Sequence, residues 1–99
     1  MKRQGGGASG TVTIYTTSWC RWCDRAKDLL ESRGAAYTEV DIETWSDPRE
    51  SLEALTGRRS VPQVFVGETH VGGFDDLAAL DAGGELGELF ASERVSLRV

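Results

Sequence analysis

Apolar and polar positions alternate through Thr11-Val12-Thr13-Ile14-Tyr15-Thr16, the two-residue period of a β-branched strand. The period then lengthens. Cys23, Ala26, Leu29 and Leu30 recur at spacings of three and four, one face of a helix that Gly34 can cap. Ala36-Tyr37-Thr38-Glu39-Val40-Asp41-Ile42 reads as a second strand. Ser46 or Asp47, with Pro48 behind it, opens a helix that carries Leu52 and Leu55 and ends at Gly57. Gln63-Val64-Phe65-Val66 and Thr69-His70-Val71 flank Gly67-Glu68, a short hairpin signal. A third helix begins near Phe74 and carries Leu77 and Leu80. Beyond Gly83-Gly84 a shorter one carries Leu86, Leu89 and Phe90.

The element order is therefore β-α-β-α-β-β-α-α, an α/β sandwich. A crossover helix joins the first two strands, which makes them parallel, and the hairpin adds an antiparallel pair. Residues 1–10 contain four of the 12 glycines and read as a flexible N-terminal extension. The folded domain spans 11–91, and residues 92–99, which have no clear pattern, are set apart as a tail.

Composition narrows the function classes. A chain of 99 residues holds one domain, and 39% apolar with 27% charged side chains suits a small soluble protein. No apolar run approaches the ~18 residues of a membrane span, and Met1 to Gly7 lacks the apolar stretch of a secretory signal. A cytoplasmic protein is expected. With 16 acidic and 11 basic side chains the net charge is −5, which disfavours nucleic acid and anionic membranes as partners.

The chemistry centres on Cys20-Arg21-Trp22-Cys23. Two cysteines three positions apart at a helix start share a face and can close a small disulfide. Cys20 follows a strand and meets the unpaired N–H groups of the helix N-terminus, where partial positive charge favours a thiolate. Such placement lowers a cysteine pKa from about 8.5 into a range of roughly 3.5–7.5. Cys23, one turn inside, is more shielded. Cys20 attacks and Cys23 resolves. Arg21 lies between them and can add its field; Lys27 reads as part of a solvated face. A self-contained zinc site needs about four ligands, and one cysteine pair with His70 falls short of that.

Two further segments have both a plain and a functional meaning. Val61-Pro62 precedes a strand, where proline is tolerated and a cis bond makes a tight turn. That turn leaves the Val61 backbone free to grip an extended peptide; the plain meaning is an edge proline. Gly72-Gly73-Phe74-Asp75-Asp76 lets a ligand approach the backbone and sets a helix N-terminus to hold a carboxylate, with Asp75 or Asp76 for an ammonium group. The plain meaning is helix capping.

Together these segments resemble the glutaredoxins, within the thioredoxin-like superfamily. The resemblance spans residues 11–91 and rests on Thr13 to Cys23, Thr56 to Val66 and His70 to Leu77. It implies a thioredoxin-like fold, a four-stranded mixed sheet with helices on both faces. It implies a monomeric enzyme that reduces protein–glutathione mixed disulfides and small disulfides at the expense of glutathione. Pro62 would be cis, and Trp22, Ser60, Val61 and Pro62 would line the glutathione groove. The γ-glutamyl end would meet Gly73, Phe74, Asp75 and Asp76, and the glycyl carboxylate would meet Arg59, with Arg58 as alternate.

Three departures from the family pattern stand out. Arg21 and Trp22 replace the usual proline and tyrosine, and Thr17 stands where many members carry lysine. Members lacking that proline include carriers of a [2Fe–2S] cluster shared between two subunits, which leaves Cys20 as a candidate cluster ligand in a dimer. Ile14 to Cys20 resembles the mycoredoxins, which use mycothiol, whereas Gly72-Gly73 with Asp75-Asp76 resembles the glutathione type. An electron donor reduced by thioredoxin reductase is the remaining alternative.

Overall fold

The computed structural model describes residues 10–98; residues 1–9 of the extension read at 1–10, and the final residue, Val99, lie outside them. Strand β1 (Val12–Thr16) leads into helix α1 (Arg21–Ser32), β2 (Thr38–Asp41), a 3₁₀ turn (Ile42–Thr44) and α2 (Pro48–Thr56). The hairpin β3 (Gln63–Val66) and β4 (Thr69–Gly72) follows, then α3 (Phe74–Ala82) and α4 (Glu85–Ser92). The sheet has four strands in the order β2-β1-β3-β4. β1 runs parallel to β2 and antiparallel to β3, and β3 is antiparallel to β4. The element order and mixed sheet are those expected from the periodicity.

All five residues of β1 are buried, because helices cover both faces of the sheet. Val12 and Ile14, with Val64 and Val66 of β3, pack against Ala26 and Leu30 of α1, Leu77 of α3, and Leu86 and Phe90 of α4. The alternate positions face the other way. Tyr15 and Phe65 meet Ile42 and Leu52, the latter on α2, and their rings stand edge to face at 5.9 Å. Each fully buried side chain of this size contributes about 1.5–3 kcal/mol, so the two-residue period of β1 and β3 ties both layers to one sheet.

The second strand is shorter than the sequence suggests. Asp41 accepts the Glu43 N–H at 2.9 Å on its side chain and turns the chain into the 3₁₀ segment, where Ile42 is buried. At the other end, Ala35 pairs with Leu97 and so is held apart from β2. α1 closes at Arg33. Gly34 follows at φ +78°, and the Gly34 and Ala35 N–H groups donate to Glu31 and Leu30 carbonyls, each at 3.0 Å. This is the double bond pattern of a glycine-terminated helix.

The residues beyond α4 are tied into the fold. The Glu93 carboxylate accepts from the Thr69 hydroxyl at 2.8 Å and the Glu68 N–H at 3.3 Å, bracing the hairpin turn. The Arg98 N–H donates to the Gly34 carbonyl at 2.8 Å, and Val95 packs on the core.

Candidate active site

The loop from β1 delivers Cys20 to the N-cap of α1. Its extended backbone (φ −109°, ψ 105°) turns Sγ toward the first helical turn, where it accepts the Cys23 N–H at 3.0 Å. Cys20 and Cys23 are joined as a disulfide with Cα atoms 5.1 Å apart. Cys23 is 1% exposed, whereas Cys20 is half-buried at the surface. The two sulfurs are therefore unequal in access, as their sequence positions imply.

Opposite the disulfide, the Val61–Pro62 peptide is cis, and the Val61 carbonyl oxygen lies 3.8 Å from Cys20 Sγ. Gln63, fully buried, steadies this turn: its side-chain amide donates to the Ser60 carbonyl at 3.0 Å. The Gln63 amide oxygen faces His70 Nε2 at 2.7 Å, which assigns the imidazole proton to that nitrogen. Burial lowers the His70 pKa, and the nearby Arg58 charge lowers it further, against the pull of Asp76.

A groove of about 450 Å³ runs from this point. Trp22, Ser60, Val61, Pro62, Gly73, Phe74, Asp75 and Asp76, all expected at the site, line it. The Trp22 and Phe74 rings lie 5.4 Å apart at 32°, an aromatic wall, and the Arg25 guanidinium sits 5.0 Å above the Trp22 ring. Asp76 caps α3, accepting the Gly73 N–H at 3.0 Å, and pairs with Arg58 Nη1 at 2.9 Å. The Gly73 N–H first, then Arg58, hold the Asp76 carboxyl below its usual range. Asp75 is exposed and makes no ion pair among the described residues.

Arg59, expected to meet a ligand carboxylate, does not line the groove; Arg58 does. Arg59 is turned back on α2, with Nη1 2.9 Å from Glu53 and Nη2 3.9 Å from Glu50. Lys27 is likewise engaged rather than simply solvated. It meets Glu39 at 3.1 Å, and Glu39 also accepts from the Thr16 hydroxyl at 2.7 Å. The sequence gives Gln63 and His70 no role in the site, His70 counting only as a zinc ligand in a set too few in number. A lone glutamine immediately after Pro62, in an otherwise apolar strand, is the only local signal for them.

The disulfide makes this a redox-active dithiol site. A four-cysteine iron–sulfur cluster is beyond a single copy of this chain, which has two cysteines, bonded to each other. Among the described residues no group of three or more His, Cys, Asp or Glu side chains converges. The residues present do not fit a cluster within one chain. No helix of the described residues is long and apolar enough to cross a membrane.

The glutaredoxin family model matches residues 12–71. The chain is 44% identical over 81 residues to a glutaredoxin of Pseudomonas aeruginosa, covering 82% of this chain and 96% of that protein. It is 46% identical over 78 residues to glutaredoxin 3 of Escherichia coli, covering 79% and 94%. Among solved structures, a buckwheat glutaredoxin–glutathione complex superposes with a TM-score of 0.77 at 28% identity, over 86% of this chain and 81% of that one. Glutaredoxin from Brucella melitensis superposes with a TM-score of 0.76 at 39% identity, over 93% and 100%.

Proposed function

Because the chain belongs to the glutaredoxin family, a family of thiol oxidoreductases, we propose that it is a glutathione-dependent thiol–disulfide oxidoreductase acting on protein–glutathione mixed disulfides and small disulfides. The observation that carries this reading is the position of Cys20 Sγ, 3.0 Å from the Cys23 N–H and 3.8 Å from the Val61 carbonyl, beside a peptide-sized groove.

The reaction starts from the reduced dithiol. The Cys20 thiolate, favoured by the α1 N-terminus, attacks the glutathione sulfur of a mixed disulfide. The old S–S bond breaks, a Cys20–glutathione disulfide forms, and the protein substrate leaves as its thiolate and takes up a proton. A second glutathione thiolate attacks the glutathione sulfur, forming glutathione disulfide and restoring the Cys20 thiolate. Cys23 offers the other exit: its thiolate attacks Cys20 Sγ and expels glutathione, giving the disulfide form. Glutaredoxin potentials of about −200 to −230 mV lie near an extracted cytosolic glutathione poise of about −220 to −260 mV, so substrate ratios set the direction. A monomer in the cytoplasm suits this reading, since that pool supplies the reductant.

The groove lining supports a placement of the ligand's parts. The Val61 backbone pairs with the glutathione cysteine in the manner of an added strand. The Phe74 amide at the α3 N-terminus, next to the Gly73 N–H that Asp76 holds, takes the γ-glutamyl carboxylate, and Asp75 and Asp76 its ammonium. Arg58 takes the glycyl carboxylate, and Trp22 with Phe74 covers the side of the groove beside the disulfide. The test is coupled turnover of the mixed disulfide of glutathione and 2-mercaptoethanol, with glutathione, mycothiol or thioredoxin reductase as reductant. Fastest turnover with glutathione supports the proposal; a clear preference for either other donor overturns it.

A further inference from the structure

Beside the groove, the surface around Cys20 carries a second pattern. Trp19, the residue before the nucleophile, is 92% exposed and makes no ring contact among the described residues. Trp22 is 49% exposed. Arg21 and Arg25 stand four residues apart on α1 and share a face, flanking Trp22. Neither arginine makes an ion pair or hydrogen bond among the described residues. Lys27, Arg33, Arg58 and Arg59, by contrast, each meet a carboxylate. Of the acidic neighbours, Asp24 faces Lys27 at 3.6 Å and Glu43 accepts the Ser18 hydroxyl at 2.8 Å, while Asp28, exposed one turn beyond Arg25, forms no ion pair with it among the described residues. A chain of net charge −5 thus presents unneutralised positive charge and two exposed indoles next to its nucleophile. Trp19, Arg21 and Arg25 lie outside the groove lining, so a tripeptide held there does not explain them.

Tryptophan and arginine are the side chains most enriched where protein interfaces gain their affinity. We propose that Trp19, Arg21 and Arg25 form a docking surface for protein substrates whose reactive cysteine is flanked by acidic residues. This rests on the thiol–disulfide reading above and deepens it by naming a substrate class. The charge argument selects a short acidic segment over an extended polyanion. The two arginines act within a Debye length of about 10 Å at 0.1 M salt, whereas a nucleic acid or anionic membrane would also meet the chain's acidic excess.

The test is a single-turnover reaction that needs no glutathione. Two peptides of equal length each carry one cysteine as a mixed disulfide with thionitrobenzoate, flanked by glutamates in one and lysines in the other. The Cys20 thiolate of the reduced protein attacks the peptide sulfur. A Cys20–peptide disulfide forms, the peptide–thionitrobenzoate bond breaks, and coloured thionitrobenzoate leaves as its thiolate. At low ionic strength the acidic peptide reacts about tenfold faster, and the preference shrinks with added salt. In the double variant Arg21→Gln/Arg25→Gln the ratio falls below about twofold, and comparing peptides within one variant cancels any change in Cys20 reactivity. Trp19→Ala slows both peptides by about fivefold relative to the 2-mercaptoethanol disulfide of thionitrobenzoate.

Equal rates for the two peptides, a faster lysine peptide, or a ratio unmoved by the arginine changes would overturn the proposal. So would arginine-dependent binding to phosphatidylserine vesicles without a peptide preference. Loss of glutathione-coupled turnover with the peptide preference intact would count against glutathione as reductant and leave the docking surface standing.

Discussion

Arg58 and Asp76 are joined at the rim of the groove: Arg58 Nη1 lies 2.9 Å from the Asp76 oxygen that also accepts the Gly73 N–H at 3.0 Å. One carboxylate oxygen thus caps α3 and fixes the arginine of the neighbouring loop. Arg58 is the only basic side chain among those lining the groove, and Arg59 beside it is held by Glu53. Arg58→Gln is expected to raise the KM for glutathione about tenfold, the loss of roughly 1.4 kcal/mol of charge-assisted bonding. Arg59→Gln leaves it within about twofold, since it removes an exposed surface pair. Initial rates against glutathione concentration separate the two; equal effects would return the carboxylate to Arg59.

The two sulfurs differ in access and in hydrogen bonding, and their substitutions are expected to differ too. Cys20→Ser reduces deglutathionylation to the uncatalysed background, because no other thiol lies at the groove. Cys23→Ser retains about half or more of the activity with glutathione mixed disulfides, since a second glutathione can resolve the intermediate. Comparable loss in both variants, measured in the coupled assay, would require Cys23 in every turnover.

Gly72 has φ +117°, and a Cβ there would run into the Asp76 carboxylate. Gly72→Ala therefore strains the backbone and displaces the cap of α3 together with the Arg58 pair. A loss of about 1–3 kcal/mol in unfolding free energy is expected, accompanied by a raised KM for glutathione. Denaturant unfolding and steady-state rates check the two effects separately. A stable variant with unchanged KM would show that the cap does not shape the groove.

Tyr37 offers a pH signature remote from the thiols. Desolvation, and then its hydrogen bond to Glu31 at 2.8 Å, raise the phenol pKa to about 12. The fold favours the neutral phenol, so this contribution is fully present below pH ~10, the ordinary phenol value, and declines as pH rises toward 12. Tyr37→Phe is expected to flatten the loss of stability across that window. Thermal unfolding of both proteins from pH 9 to 11.5 reads the difference; parallel curves would locate the alkaline transition elsewhere.

Much of this protein is local in origin, and that part was legible from the chain alone. The alternation in β1 and β3, the three- and four-residue spacing in α1, and the glycines after α1 and α2 act through neighbours in sequence. Cys20 at a strand–helix junction follows from the same local rules, as does the inequality of the two cysteines. The groove residues of Val61-Pro62 and Gly73 to Asp76 were found because their backbone demands leave a mark in composition.

Other features depended on groups that meet only after folding. Arg58 and Arg59 are adjacent in an irregular loop, where no period says which way a side chain points. Asp76 and Glu53, at opposite ends of the intervening strands and loop, decided it. Gln63 and His70 acquire a role because β3 and β4 pair, and Glu93 because it reaches a hairpin turn 25 residues earlier. Sequence determined the place of the dithiol at a helix start, the layers and the ends of the helices, because helix termini and side-chain periods are short-range physics. Tertiary structure decided which arginine faces the groove and which cations around Cys20 stay unpaired, because ion pairs are settled by distances that only the assembled fold creates.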